Sequence, residues 1–199
     1  ILESGREEIA RLTGLVERLL LLSHMDAGQW RWEMQPIRLK QLLAELAEKA
    51  QLLAGNKNLR VALKANVDPV VEGDKMRLRQ LLLNLLDNAV KNSRPGGRIT
   101  LSLFQENRYA GIGVQDEGAG IYPEHIPRIF DRFYRVDKAR ERRQGSYGLG
   151  LSIAKAIAEA HQGKIEVQSK AGQGSLFTLW LPLSSAICSQ TPSLNIKNI

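Results

Sequence analysis

The chain has 199 residues, 43% of them hydrophobic and 25% charged, with 28 Lys and Arg against 21 Asp and Glu for a formal net charge of +7. This is ordinary globular composition. It holds no apolar run as long as a membrane span, no signal peptide at its start, and in Cys188 only one cysteine, which excludes an internal disulfide framework and fits a reducing compartment. Three scattered histidines argue against a zinc site, and no zinc-finger spacing or aromatic-basic pattern supports a nucleic-acid partner. The basic excess suits phosphate groups in general. Ile rather than Met at position 1 leads us to expect a piece of a longer chain.

In chain order, residues 1–27 predict a helix. Leu2, Ile9, Leu12, Val16 and Leu19 fall on heptad-like steps, interrupted once at Gly5, and Leu15, Leu20, Leu21 and Leu22 widen the apolar surface. Ala27-Gly28 is its stop signal. A helix this apolar needs a partner helix, from upstream in a parent chain or from a second copy. Trp30 to Pro36 predicts a connector or short strand. From Ile37 a helical pattern returns, with Leu42, Leu43, Leu46 and Ala50 on its buried face. Asn58–Ala65 alternates as a strand, Val70-Val71 is a second short strand, and Glu72-Gly73 is expected to turn the chain. Asp74 is placed to cap a central helix that runs to Ser93.

After a turn at Ser93–Gly97 come two strands, Arg98–Gln105 and Tyr109–Gln115, and then a helix at Gly150–His161. Strands at Lys164–Ser169 and Ser175–Leu181 close the pattern, and periodicity is lost after Leu183. Strands and helices mix without strict alternation. The expected class is therefore α+β, a mixed sheet with helices on one face.

Four stretches carry polar chemistry. On the central helix, Asn84, Asn88 and Lys91 share a second face at i, i+4 and i+7, apart from the Leu stripe. Asn is a poor helix former, so its repetition carries a local cost that packing does not explain. Amide oxygens suit a hard cation such as Mg²⁺, and a lysine suits a phosphate. Asp116-Glu-Gly-Ala-Gly120 follows a strand; its glycines allow close approach to a flat ligand, and Asp116 can accept from an exocyclic amine. Gly145–Leu151 runs into a helix whose first amides can cradle phosphate, without the Gly-Lys-Ser/Thr of a P-loop or a dinucleotide fingerprint. Between them lies Ile129–Arg135, followed by Lys138, Arg140, Arg142 and Arg143. There Phe130 and Phe133 are expected to pin a loop to the core, so that Arg135 closes over a polyphosphate. Taken singly, each stretch has a plainer reading: a solvated helix face, an Asp-Gly turn, a flexible hinge, a solvated basic loop.

The four occur together in one order: Asn84-Leu-Leu-Asp-Asn-Ala89, Asp116-Glu-Gly-Ala-Gly120, Phe130-Asp-Arg-Phe133 and Gly148-Leu-Gly-Leu151. They strongly resemble the N box, first glycine box, F box and second glycine box of sensor histidine kinases. The resemblance covers roughly residues 1 to 183. It implies a Bergerat-type ATP-binding α/β sandwich at 37–183. Before it would lie part of the second helix of a dimerisation and phosphotransfer hairpin at 1–28 and a connector at 29–36; after it, a tail at 184–199. By the same resemblance Asn88 is the Mg²⁺ ligand, with Asn84 supporting metal and phosphates. Lys91 meets phosphate oxygens and Asp116 reads the adenine amine. Gly118, Gly120 and Ile121 shape the base pocket. Tyr134 and Arg135 reach the ribose and γ-phosphate side, and Gly148, Leu149 and Gly150 bring the second glycine box to the triphosphate. Asn84, Lys91 and Arg135 are the expected catalytic group.

Related ATPases of this fold resemble the chain but carry Glu four residues before the Mg²⁺ Asn, to activate water. Here that position is Asn84, which cannot take a proton. The resemblance therefore implies slow hydrolysis and transfer to a histidine. The family's phosphoacceptor sits in a His-Glu/Asp-x-x-x-Pro-type segment that this sequence lacks, and His24, His125 and His161 stand in other contexts. The expected partners are a second copy of the parent chain and a response-regulator receiver domain. The expected location is cytoplasmic, with any membrane anchor in segments upstream. A hydrolytic clamp of the same fold, or a module that only binds nucleotide or dimerises, are the alternatives. The sequence departs from the family pattern at Ser146 and Tyr147, where smaller residues are common, and at Asn92, which replaces an aromatic.

Overall fold

The computed structural model describes residues 2–136 and 147–184. The first helix, α1 (Leu2–Asp26), ends where the chain predicts: Gly28 takes φ +64°, its N–H donates to Met25 O at 3.1 Å, and the Gln29 N–H donates to His24 O at 3.0 Å. Then come β1 (Met34–Arg38), α2 (Leu39–Ala54), β2 (Arg60–Ala65), β3 (Val70–Asp74) and α3 (Lys75–Asn92). They are followed by β4 (Arg98–Glu106), β5 (Tyr109–Asp116), α4 (Gly150–Ala160), β6 (Lys164–Lys170) and β7 (Gly174–Pro182). The basic stretch from Lys138 to Arg143, Ser146, and the tail from residue 185 lie outside the described residues.

Five strands form one sheet in the order β2-β4-β5-β7-β6, with β2 parallel to β4 and the other pairs antiparallel. The parallel pair needs a crossover, which β3 and α3 supply. Period-two patterning sets the faces. Leu101, Val114 and Phe177 stand in register across the three central strands, and all are buried, as are their neighbours Ile99, Ile112 and Leu179. On the opposite face Lys164, Glu166 and Gln168 of β6 are exposed. Helices α2, α3 and α4 cover the apolar face through Leu42, Leu43, Leu46, Leu78, Leu82, Leu85, Ile153 and Ile157. This is the expected mixed sheet with helices on one face.

Two local expectations are corrected. Ile37 does not begin a helix; it lies in β1, paired with Val71 of β3, and α2 starts at Leu39. One apolar residue ahead of a helix fits either period, and cross-strand pairing decides it. Glu72-Gly73 does not turn: both continue β3, opposite Pro36 and Gln35. The glycine is needed there for close approach, since a Cβ would meet Leu78 Cδ1 at 2.8 Å and His161 Cδ2 at 2.9 Å. Asp74 caps α3 as expected, accepting from the Arg77 N–H at 3.1 Å. Among the described residues no helix is long and apolar enough to cross a membrane.

Candidate functional site

The polar face of α3 lines a cavity of about 220 Å³. Asn84, Asn88 and Lys91 all reach it, as their helical spacing predicts, and Asp87 joins them. Tyr134 and Arg135 line it from the segment after β5, and Tyr147, Gly148, Gly150 and Leu151 from the start of α4. Gly120, Ile121 and Ser175 contribute from the loop after β5 and from β7.

The end of α3 is held by a residue outside it. Lys57 Nζ donates to the carbonyls of Val90 at 2.9 Å and Lys91 at 2.8 Å, so a cation meets the negative end of the helix dipole. Within α3, Asn92 Nδ2 donates to both the backbone oxygen and Oδ1 of Asn88, each at 2.9 Å. This fixes the Asn88 amide and leaves its Oδ1 a second lone pair. Lys91 Nζ pairs with Asp87 Oδ2 at 2.6 Å. Asn84 Nδ2 is buried and has no hydrogen-bond partner among the described residues. An orphaned amide donor costs about 1–3 kcal/mol, so a ligand acceptor placed there would be held strongly.

Asp116 ends β5 and is buried, 2% exposed. Burial pushes its carboxyl pKa up, against the opposing effect of the Gly118 N–H, which donates to Oδ1 at 2.8 Å, and of the Ser175 N–H. The loop that follows is stitched to α3: Gly118 bridges Ser93, and the Ala119 N–H donates to Asn92 O at 3.3 Å. Gly120 takes φ +66°, and a Cβ there would be driven into the Lys170 carbonyl.

The F-box segment is tied to the second glycine box through its backbone. The Phe133 N–H donates to Gly148 O at 3.0 Å, and Gly148 sits at φ +70°, where a Cβ would meet Tyr134 O at 2.7 Å. Phe130 packs against the core as expected, but Phe133 does not: its ring is 56% exposed. Tyr134 is held by its hydroxyl to His125 Nδ1 at 2.8 Å and by the Arg128 guanidinium, 4.5 Å over its ring.

The structure thus gathers Asn84, Asn88, Lys91, Gly120, Ile121, Tyr134, Arg135, Gly148 and Gly150 around one cavity. Asp116, Gly118 and Leu149 are not on its wall. Asp116 is buried beside its β7 register partner Ser175, Gly118 packs close against the Asn92 carbonyl, and the Leu149 side chain is core, 0% exposed. A leucine beside glycines is taken up by the hydrophobic core, which sequence adjacency does not reveal. The sequence reading missed Asp87, Ser175 and Arg18 of α1. Asp87 was findable, since it stands at i−4 from Lys91; Arg18 gave no local signal.

A mixed sheet covered on one face by helices, with an amide-bearing helix facing another helix's N-terminus across a cavity, defines a nucleotide-binding α/β sandwich of the Bergerat type. Residues 73–185 match the family described as histidine kinase-, DNA gyrase B-, and HSP90-like ATPase, and the chain belongs to it. It is 35% identical over 177 residues to the phosphate regulon sensor protein PhoR of Pseudomonas aeruginosa, covering 89% of this chain and 40% of that one. It is 36% identical over 182 residues to the sensor histidine kinase WalK of Bacillus subtilis, covering 89% of this chain and 29% of that one. For the sensor protein SrrB of Staphylococcus aureus the figures are 38% over 178 residues, 88% and 30%. The chain therefore spans no more than 40% of the length of these relatives. Among solved structures it superposes on full-length ShkA in complex with AMPPNP, with TM-score 0.79 and 28% identity, covering 90% of this chain and 37% of that one. On the catalytic domain of the histidine kinase ThkA the TM-score is 0.67 at 28% identity, covering 75% and 95%.

Proposed function

We propose that this chain is the ATP-binding catalytic part of a dimeric sensor histidine kinase. It passes the γ-phosphoryl group of ATP to a histidine outside these 199 residues, for relay to an aspartate of a response-regulator receiver domain. In this reading residues 1–28 are the second helix of the dimerisation hairpin, 29–36 the connector, 37–183 the catalytic domain and 184–199 a tail. Ile9, Leu12, Val16 and Leu19 remain exposed on α1, as a seam awaiting a second helix requires. The catalytic part would work in the cytoplasm, attached to a membrane only through upstream segments.

The observation that carries the reading is Asn84: a buried amide donor with no hydrogen-bond partner among the described residues, on the cavity wall beside Asn88. Its Nδ2 suits a phosphate oxygen, while its Oδ1 cannot take a proton from water. Phosphoryl transfer needs mainly positioning and charge neutralisation. Lys91 and Arg135 supply positive charge, and the first amides of α4, at a helix N-terminus with no side-chain cap among the described residues, offer further donors. Asp116, close to Ser175, reads the adenine amine, and Gly120 and Ile121 flank the base. Mg²⁺ fits the donor set, since Asn88 Oδ1 and Asn84 Oδ1 are hard neutral oxygens. When bound, it neutralises charge on the terminal phosphates. With no proton acceptor at position 84, water is poorly activated and a protein imidazole, its own nucleophile, is the acceptor.

Calorimetric titration of Mg²⁺-ATP into the wild type and Asp116→Ala tests this. Binding by the wild type, at least tenfold weaker in the variant, and only slow phosphate release are expected. No binding by the wild type, or turnover to free phosphate at rates typical of enzymes (about 10 s⁻¹), would overturn it. A stable radiolabel on the isolated chain from γ-labelled ATP would contradict the assignment of the acceptor to another segment.

A further inference from the structure

Helix α1 has two apolar stripes. One is the exposed seam of Ile9, Leu12, Val16 and Leu19. The other faces the ATPase domain: Leu22 is buried, and Leu15 and Met25 pack partly buried against the same core. Leu15, Leu22 and Met25 stand at i−3, i+4 and i+7 from Arg18, so all four share one face. Arg18 stands on this face but is itself exposed, so core packing does not account for it. It lines the cavity together with Asn84, Asn88, Lys91 and Arg135.

The placement of α1 is fixed near its end. One guanidinium nitrogen of Arg132 donates to both carboxylate oxygens of Asp26 at 2.7 Å. Arg132 lies in the same segment as Tyr134 and Arg135, and α1 also packs against α4, whose first residues line the cavity. The helix is thus anchored to the two elements that carry the cationic and amide-donor side of the site.

We propose that Arg18 is a further nucleotide-binding residue, contributed by α1 rather than by the ATPase domain, and that it pairs with the terminal phosphates of ATP. This rests on the ATP-binding reading above. A guanidinium forks onto phosphate oxygens and stays charged at any working pH. A triphosphate then bridges α1 and the domain and favours their docked arrangement. By linkage, docking favours the triphosphate to the same degree. Adenosine, without phosphates, gains nothing from Arg18.

The test is the affinity of the full chain for Mg²⁺-ATP, Mg²⁺-ADP and adenosine, in the wild type, Arg18→Ala, Arg18→Gln and Arg18→Lys. The Ala and Gln variants should lose roughly fivefold or more for ATP and less for ADP, with adenosine unchanged and part of the loss recovered by Lys. Asp26→Ala, which frees the helix end, should lower ATP affinity, and the loss should not add to that of Arg18→Ala. Equal ATP affinity in wild type and Arg18→Ala, or an equal loss for adenosine, overturns the proposal and leaves the ATP-binding reading standing. Absence of ATP binding by the wild type overturns both.

Discussion

His161 Nε2 accepts the backbone N–H of Asp74 across 2.9 Å, while its Nδ1–H donates to Ile157 O at 2.7 Å. A neutral imidazole thereby ties the end of α4 to the start of α3, the helix that carries the polar face of the cavity. Trp32 packs against the ring in a T-shaped arrangement, 5.2 Å away between centroids.

Burial lowers the His161 pKa below its usual 6.5, against smaller opposing effects of the Ile157 carbonyl and the Asp74 charge. The unfolded chain takes up a proton near pH 6.5 where the folded chain resists it. The stabilisation is therefore complete above 6.5 and is lost as pH falls from there through the depressed folded value. Urea midpoints between pH 8 and pH 5 should show this decline in the wild type and a shallower one in His161→Gln. His161→Ala should cost about 1–3 kcal/mol at pH 8, because the Asp74 N–H is left buried without an acceptor.

Asn92 lines the cavity and holds the Asn88 amide by two hydrogen bonds from its Nδ2, so its effect on a cation is expected to run through Asn88. Asn92→Ala should weaken Mg²⁺-dependent ATP binding by about three- to tenfold, with ATP binding measured in EDTA unchanged, as for a group that orients a ligand. Asn88→Ala should lose more. An equal loss with and without Mg²⁺ in Asn92→Ala would assign Asn92 to the nucleotide itself.

Gly120 and Gly172 both have positive φ, +66° and +81°, but differ in surroundings. A Cβ at Gly172 meets nothing within 4 Å, whereas at Gly120 it strikes the Lys170 backbone. Gly172→Ala should cost about 1 kcal/mol, the conformational penalty alone. Gly120→Ala should cost about 3 kcal/mol or more, because backbone must move as well, and should displace Ile121 from the cavity. Denaturant unfolding of the two variants measures the difference, and equal losses would show that the Lys170 strand yields freely.

The elements and most of the site were legible from local pattern. Alternation marked Arg98–Gln105 and Tyr109–Gln115 as strands, and the spacing of Asn84, Asn88 and Lys91 put three polar groups on one helical face. These are consequences of fixed backbone periods, so the sequence alone determines them. The stop of α1 at Gly28 was legible for a similar reason: the left-handed backbone it permits is a property of the residue.

Contacts between distant segments were not legible, because they depend on how elements pack. Ile37 became strand only through pairing with Val71, and Gly73 stayed extended because Leu78 and His161 crowd it. Phe133 was assigned to the core by its hydrophobicity, yet its backbone is what binds Gly148. Lys57 at the end of α3, His161 beneath Asp74, and Arg18 at the cavity are each brought there by the docking of one element on another. Local periodicity sets which way a side chain points from its own helix or strand. Only tertiary packing sets what it then meets.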